Sequence, residues 1–395
     1  MLKKVIAYLN LNNIGLLEIT VALYLILMGY DYGAIKLSII TPIIMCILAI
    51  IRNNGKIYLL RNNLLLVLII YVAIHQILIG FIIDYLPSYF INNTISIITI
   101  LLSIFIISPA IDFTKLKGAL NLVALFCILG MFYHSIIILS GDAVSPIKLP
   151  FLPDLSVNSR LHAIVYRPTS FFWEPASYAT FMMPVLWISI IDRKYIWASL
   201  IVFSVFLSTS TTGIILSIVL IVVYSFTIKL SFKNVILPLF IAVSIIYAFI
   251  NFHIFESGLQ KLESTDIEET SRIINGPTLV SGMQLEELMF GFKAANVEDY
   301  YDNGYRGNNL IETSSGQIFV SSFWLILAQF GLIGLLIYLM LYFRLLTKNR
   351  IIIPYVVIIL ISMFSQSVYI GGMYFWQLLI LLSVPIVNNM IKINK

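Results

Sequence analysis

The chain has little charge and little cysteine, and each shortage closes off a class of protein. Of its 395 residues 11% are charged and 60% hydrophobic, with a mean hydropathy of +0.99. Soluble domains carry about 25% charged residues, so an aqueous globular fold is excluded. Cys46 and Cys127, the two cysteines, both lie in apolar runs and read as small packing residues rather than a disulfide. No spacing typical of metal ligands occurs, and neither does an internal repeat or a low-complexity tract. Lys3 and Lys4 precede an apolar run as in a signal peptide, but no small-residue cleavage site follows, so the run reads as a retained span. The formal charge of +5 is spread between apolar runs, where a membrane accounts for it and nucleic acid does not.

What is present is a succession of apolar runs near the length of a membrane span, about 17 to 25 residues. Cutting at the polar breaks predicts about twelve helices, at 14–30, 34–51, 63–83, 93–111, 118–140, 174–191, 195–210, 211–229, 234–251, 318–343, 351–369 and 371–390. The run 195–229 is too long for one span and is divided at Ser208-Thr209-Ser210-Thr211-Thr212-Gly213. Basic residues then fall in alternate connections: Lys3 and Lys4; Arg52, Lys56 and Arg61; Lys115 and Lys117; Arg193 and Lys194; Lys229 and Lys233; Arg344, Lys348 and Arg350; Lys392 and Lys395. Lys and Arg accumulate in cytoplasmic loops. The expectation is an all-α polytopic membrane protein, forming a single membrane domain with both termini cytoplasmic and the connections 141–173 and 252–317 facing outward together.

The passage 251–317 is the one long hydrophilic stretch, with Lys261, Arg272, Lys293 and Arg306 against eleven acidic residues. So polar a segment cannot sit in hydrocarbon, and long loops that are not linkers are usually functional. Inside the spans polar groups are few: Glu18 near the end of the first helix, His75 with Gln76, and His134. Each stands alone in the sequence, so although an ionisable group in a span is a functional candidate, an interhelical hydrogen bond with a neutral histidine is the preferred reading.

The first outward connection delivers Arg160, His162 and Arg167 to the mouth of the sixth helix, within HAIVYRPTSFFWEPASYATFMMP. Glu174-Pro175 marks a helix start, where proline fits the first turn and the dipole favours a carboxylate. A second reading groups Arg167 and Glu174 with Phe171, Phe172 and Trp173 at the outer surface. Guanidinium groups bind phosphate bidentately, aromatic faces suit sugar rings or lipid, and a carboxylate can take a proton. Those are the parts that a glycosyl phospholipid requires. In the large connection Thr270-Ser271-Arg272-Ile273 places an arginine before a helical passage ending at Leu288; MFGFKAANVEDY then makes a glycine-containing turn, and Arg306 comes after it in NGYRGNNL. Arg272 and Arg306 have acidic neighbours enough to be salt-bridge partners only.

Four stretches together resemble a known family: YRPTSFFWEPASYA, FLSTSTTGIILSI, SRIINGP followed by LMFGF, and SSFWLILAQFGLIGLLIYL, in this order between about Arg160 and Leu339. They are similar to the bacterial O-antigen and capsular polysaccharide polymerases of the Wzy type, which are related to the O-antigen ligases. The resemblance implies a metal-independent membrane glycosyltransferase without a cofactor, of the C-type glycosyltransferase-like class, in the bacterial cytoplasmic membrane. Such an enzyme, which serves lipopolysaccharide or capsule synthesis, transfers a growing glycan from undecaprenyl pyrophosphate to the non-reducing end of another lipid-linked repeat unit. Its partners would be undecaprenyl-pyrophosphate-linked oligosaccharides, membrane lipid and a chain-length regulator protein.

By the resemblance Arg167 and Arg272 match the phosphate-binding arginines and Glu174 the helix-start carboxylate, as the catalytic group. Arg160, His162, Arg306, Trp173 and Phe172 would bind substrate. Where the ligases carry a His-Asn pair the chain has Val320-Ser321, a departure that disfavours a ligase and leaves Glu174, Asp154 and His162 as candidate bases. The alternatives are a ligase or another lipid-linked glycosyltransferase, and a lipid-linked oligosaccharide transporter. Carriers place their binding groups near the midplane and usually contain repeats, whereas the arginines here lie in connections.

Overall fold

The computed structural model describes residues 8–9, 14–32, 35–60, 62–82, 88–152, 167–228, 267–294, 297, 300, 310–311, 318–365 and 372–385. Among them the chain is helical apart from its connections and a two-residue antiparallel pairing of Asp31–Tyr32 with Ile35–Lys36. In chain order the helices are α1 Leu16–Leu27, α2 Leu37–Arg52, α3 Asn63–Ile82, α4 Ser88–Ile107, α5 Phe113–Leu139, α6 Pro175–Ile191 and α7 Tyr195–Leu207. They continue with α8 Thr211–Ile228, α9 Ile267–Ser281, α10 Leu285–Phe290, α11 Ser322–Lys348, α12 Ile353–Ser365 and α13 Gly372–Ser383. The span expected at 234–251 lies outside the described residues.

Several boundaries depart from hydropathy for local reasons. α5 starts at Phe113 rather than 118, because the Asp112 carboxylate accepts from the amides of Thr114 and Lys115 at 2.9 and 3.3 Å. That is a strong N-cap, and lysines in the first turn can lay their stems along the helix while the ammonium reaches water. α4 begins at Ser88 rather than 93 and stops at Ile107, with Pro109 in the 3-10 turn beyond it. The division of 195–229 falls where the polar run places it, and Ser210 Oγ caps α8 by accepting from the Gly213 amide at 3.2 Å.

α6 and α13 occupy the centre, buried over almost their whole lengths. A helix apolar on every side belongs in such a position. Phe181 of α6 stacks on Trp376 of α13 at 5.6 Å, and the Trp376 indole donates to the Val21 carbonyl of α1 at 2.7 Å. Around them α5, α7, α8 and α12 pack on α6, while α1 and α4 pack on α13.

Three helices are long and apolar enough to cross a membrane by length and composition, over Asn63–Ile82, Phe113–Leu139 and Ser322–Thr347, with shorter apolar helices beside them. The outer surface is apolar as well: Leu66, Ile70, Ile74, Ile77 and Phe81 of α3 are exposed, as is the stripe Phe126, Leu129, Tyr133 and Ile136 of α5. An apolar exterior of this extent is unfavourable in water and matches hydrocarbon.

One end of the bundle carries a set of ion pairs. Arg52 at the end of α2 pairs with the buried Glu18 of α1, whose carboxylate also accepts from the Asp112 amide at 2.9 Å. Lys117 of α5 meets Asp192, after α6, at 2.6 Å, and Trp187 near that end of α6 donates to the Ile351 carbonyl at 3.0 Å. Removing one partner of a buried pair strands the other charge. Glu18 is thereby accounted for as a tie between α1, α2 and the start of α5.

Candidate functional site

At the opposite end, the connection before α6 folds back onto the bundle. The Ile147 amide donates to the Ser170 carbonyl at 2.8 Å and the Leu149 amide to the Tyr30 hydroxyl oxygen at 3.0 Å. Arg167 then reaches the turn between α7 and α8, where its Nε donates to Thr209 Oγ1 at 3.0 Å and its Nη2 to the Thr209 carbonyl at 2.8 Å. Thr209 has a left-handed backbone, with φ of 54°, uncommon for a residue other than glycine. The turn is held further by Ser208, whose hydroxyl donates to the Val205 carbonyl at 2.6 Å. Gly213, three residues past the cap Ser210, lies against α6 so closely that a Cβ there would stand 2.3 Å from the Ala179 Cβ. YRPTSFFWEPASYA and FLSTSTTGIILSI therefore meet twice, through Arg167 and Thr209 and through Ala179 and Gly213.

Glu174 is the N-cap of α6, with extended backbone, and its carboxylate accepts from the Ser177 hydroxyl at 3.5 Å. It is half-buried, as are Phe171, Trp173 and Arg167. Phe172 is placed differently. It is fully buried, edge-on to Tyr178 at 5.8 Å and against Phe181 at 5.5 Å, so its ring packs the core and does not wall an open site.

Arg272 lies within α9, in its second turn, where the sequence pattern put it ahead of the helix; its side chain is outside the described residues. The passage expected to run unbroken to Leu288 is two helices, α9 and α10, separated by Gly282-Met283-Gln284. Asn275 and Gly276, three and four residues after Arg272, stitch α9 to the residues ahead of α11 and to its first turn. The Asn275 amide nitrogen donates to the carbonyls of Ile311 and Phe319 at 2.9 and 3.2 Å, and its oxygen accepts from the Ile311 amide at 2.8 Å. Gly276 lies directly against Trp324 at the start of α11, where an added Cβ would stand 2.2 Å from the ring Cδ1. The signal for this docking was the Asn-Gly-Pro tripeptide, which reads locally as a turn but serves here as a close approach.

The next contact is an interlock of two glycines. α10 opens with a reciprocal cap between Gln284 and Glu287, and the buried Glu287 also accepts from the Tyr300 hydroxyl at 2.9 Å. It ends at Gly291, whose φ is 97° and ψ 160°. From there the Phe292 amide donates to the Ala328 carbonyl of α11 at 2.8 Å. α11 is itself broken at Gly331, with φ of 66° and ψ of −179°. A Cβ on Gly291 would stand 2.0 Å from the Gln329 carbonyl oxygen and 2.9 Å from His75 Nε2, and one on Gly331 would stand 2.2 Å from the Met289 carbonyl oxygen. Tyr71 of α3 donates to the Phe330 carbonyl at 2.6 Å, satisfying a backbone group near the break. Residues 289–292 of the hydrophilic passage thus lie on the broken α11, with Gly291 beside His75 of α3.

The four stretches form two touching pairs, joined through α12, which packs on α8, α9 and α11. Arg160, His162, Asp154 and Arg306 lie outside the described residues. Among the described residues no three of His, Cys, Asp and Glu are grouped as for a metal ion. The class these residues define is an all-helical chain whose apolar helices include three of membrane-crossing length. No protein-family model, curated protein or solved structure matches it.

Proposed function

We propose that the chain is an oligosaccharide repeat-unit polymerase, moving a growing glycan from undecaprenyl pyrophosphate onto the non-reducing sugar of another lipid-linked repeat unit at the outer face of a bacterial cytoplasmic membrane. The observation that supports this reading is that the four stretches resembling such polymerases, distant in sequence, pack in contact around Arg167–Thr209 and around Gly291 and Gly331. In the reaction the bond from the anomeric carbon to pyrophosphate breaks and a bond to the acceptor hydroxyl oxygen forms. The hydroxyl proton passes to a base, for which Glu174 is the first candidate. Negative charge grows on the leaving pyrophosphate, and fixed guanidinium groups in a partly dry site stabilise it.

In this reading the chain spans the membrane about twelve times, with both termini cytoplasmic. The gathering of Arg52, Lys117 and Lys194 with their partners at one end supports it, and the connections before α6 and α11 then face outward. A cysteine placed at Ser264 is expected to react with a membrane-impermeant thiol reagent in intact spheroplasts. Labelling only after lysis would overturn both the topology and the mechanism.

The function is tested in a strain lacking the gene and supplied with variants. Wild type is expected to restore long glycans, and Glu174→Gln and Arg272→Ala to leave single repeat units at normal protein levels. The double variant should be no worse than either alone, because groups acting in one step are not additive. A surface ion pair of below about 1 kcal/mol would leave chain length unchanged, and that result would remove both residues from the site.

A further inference from the structure

The segment carrying Arg167 and Glu174 is held from beneath by one face of α5. Cys127, Gly130 and His134 recur at the spacing of one helical face, and all three meet the same short turn of the connection. Ser170 Oγ donates to the Cys127 carbonyl at 2.8 Å. Gly130 lets the connection lie directly on the helix, since a Cβ there would stand 2.5 Å from Ser170 Oγ and 2.8 Å from Ile147 Cδ1. His134 Nδ1 accepts from the consecutive amides of Thr169 and Ser170, each at 3.3 Å. Ser170 has a left-handed backbone, with φ of 56°, and consecutive amides in such a turn converge on one acceptor. His134 is 1% exposed. A ring nitrogen facing two N–H donors must present its lone pair, so the imidazole is neutral with its hydrogen on Nε2.

We infer that His134 is a positioning residue: its Nδ1 lone pair fixes the turn at Thr169–Ser170 and so sets where Arg167, just before the turn, and Glu174, shortly after it, are presented. This rests on the polymerase reading only for its consequence in activity; the clasp itself is a structural claim with its own readout. It predicts that the need is for an acceptor at the Nδ1 position rather than for an aromatic ring. The asparagine oxygen stands near that position, while the glutamine amide extends past it towards where Nε2 lies.

The test uses the full chain in membranes with Cys46→Ser and Cys127→Ala, the latter keeping the backbone carbonyl, and Ser170→Cys as reporter, its thiol standing where the hydroxyl donated to that carbonyl. With His134 present, the reporter thiol is expected to resist a small thiol reagent. With His134→Leu and His134→Gln it should react roughly tenfold faster, as expected from the loss of two hydrogen bonds, and His134→Asn should restore protection. In the chain with native serine, glycan length should follow the same order, long for His134→Asn and short for the other two. Protection retained with His134→Leu, or equal exposure with His134→Asn and His134→Gln, would overturn the inference. Exposure in the expected order with glycans of wild-type length in every variant would overturn the positioning role while leaving the clasp, and long glycans in the strain lacking the gene would overturn the polymerase reading instead.

Discussion

Arg167→Lys is expected to abolish long glycans almost as completely as Arg167→Ala, with a fall of about 10²-fold or more, the size found when one preorganised donor to a developing anion is removed. The guanidinium uses two of its nitrogens at once on Thr209, Nε on the hydroxyl and Nη2 on the carbonyl. An ammonium cannot keep this fork, so lysine would lose the tie to the α7–α8 turn along with any bidentate grip on phosphate. The two roles separate through the partner. Thr209→Val removes the hydroxyl acceptor and leaves the carbonyl, so as a clamp alone it should cost about 0.5–1.5 kcal/mol of stability and shorten glycans slightly. If Thr209→Val matches Arg167→Ala in glycan length, Arg167 is a clamp only. If Arg167→Lys supports long chains and Arg167→Ala does not, its role is plain charge. Glycan ladders on gels, read at matched protein levels, decide between these.

How much of this arrangement is legible in the sequence varies with whether its cause is local. The start of α6 is legible because Glu174-Pro175 is a local signal, and so is the α7–α8 break, where Ser208 to Gly213 carries its own capping chemistry. The start of α5 is not, because lysines in an apolar helix read as loop until Asp112 is seen to cap it. Phe172 illustrates a different limit. An aromatic next to a polar pair looks the same in sequence whether it walls a site or fills the core, and only the stacking against Tyr178 and Phe181 decides. His75 and His134 look solitary in the sequence because their neighbours, Gly291 and the Thr169–Ser170 amides, come from distant connections. The break at Gly331 has no local signal at all. Glycine is common in membrane helices, and its cause is the Met289 carbonyl of a segment about 40 residues earlier by sequence position.

That break leads to the second large effect. Gly291 and Gly331 both have positive φ with ψ near 180°, a region essentially reserved for glycine. Substitution by alanine should therefore cost about 1–3 kcal/mol from the backbone alone. The added methyl would also have to displace a backbone carbonyl oxygen at 2.0 Å for Gly291 or 2.2 Å for Gly331, neither of them the yielding end of a flexible side chain. The least costly response is for Leu288–Phe292 to leave α11, which would release the Phe292–Ala328 hydrogen bond and uncover His75. α9, and Arg272 with it, would then lose the anchor that follows it in the chain, while Asn275 and the approach of Gly276 to Trp324 remain. Gly331→Ala and Gly291→Ala are accordingly expected to speed cleavage of the 267–294 segment by a protease added at the outer face, and to shorten glycans. Gly55 provides the control, since its φ is 79° and nothing stands within 4 Å of an added Cβ, so Gly55→Ala bears the strain of a positive φ without the collision. Wild-type protease resistance and long glycans in Gly331→Ala would show that the interlock does not hold the passage in place.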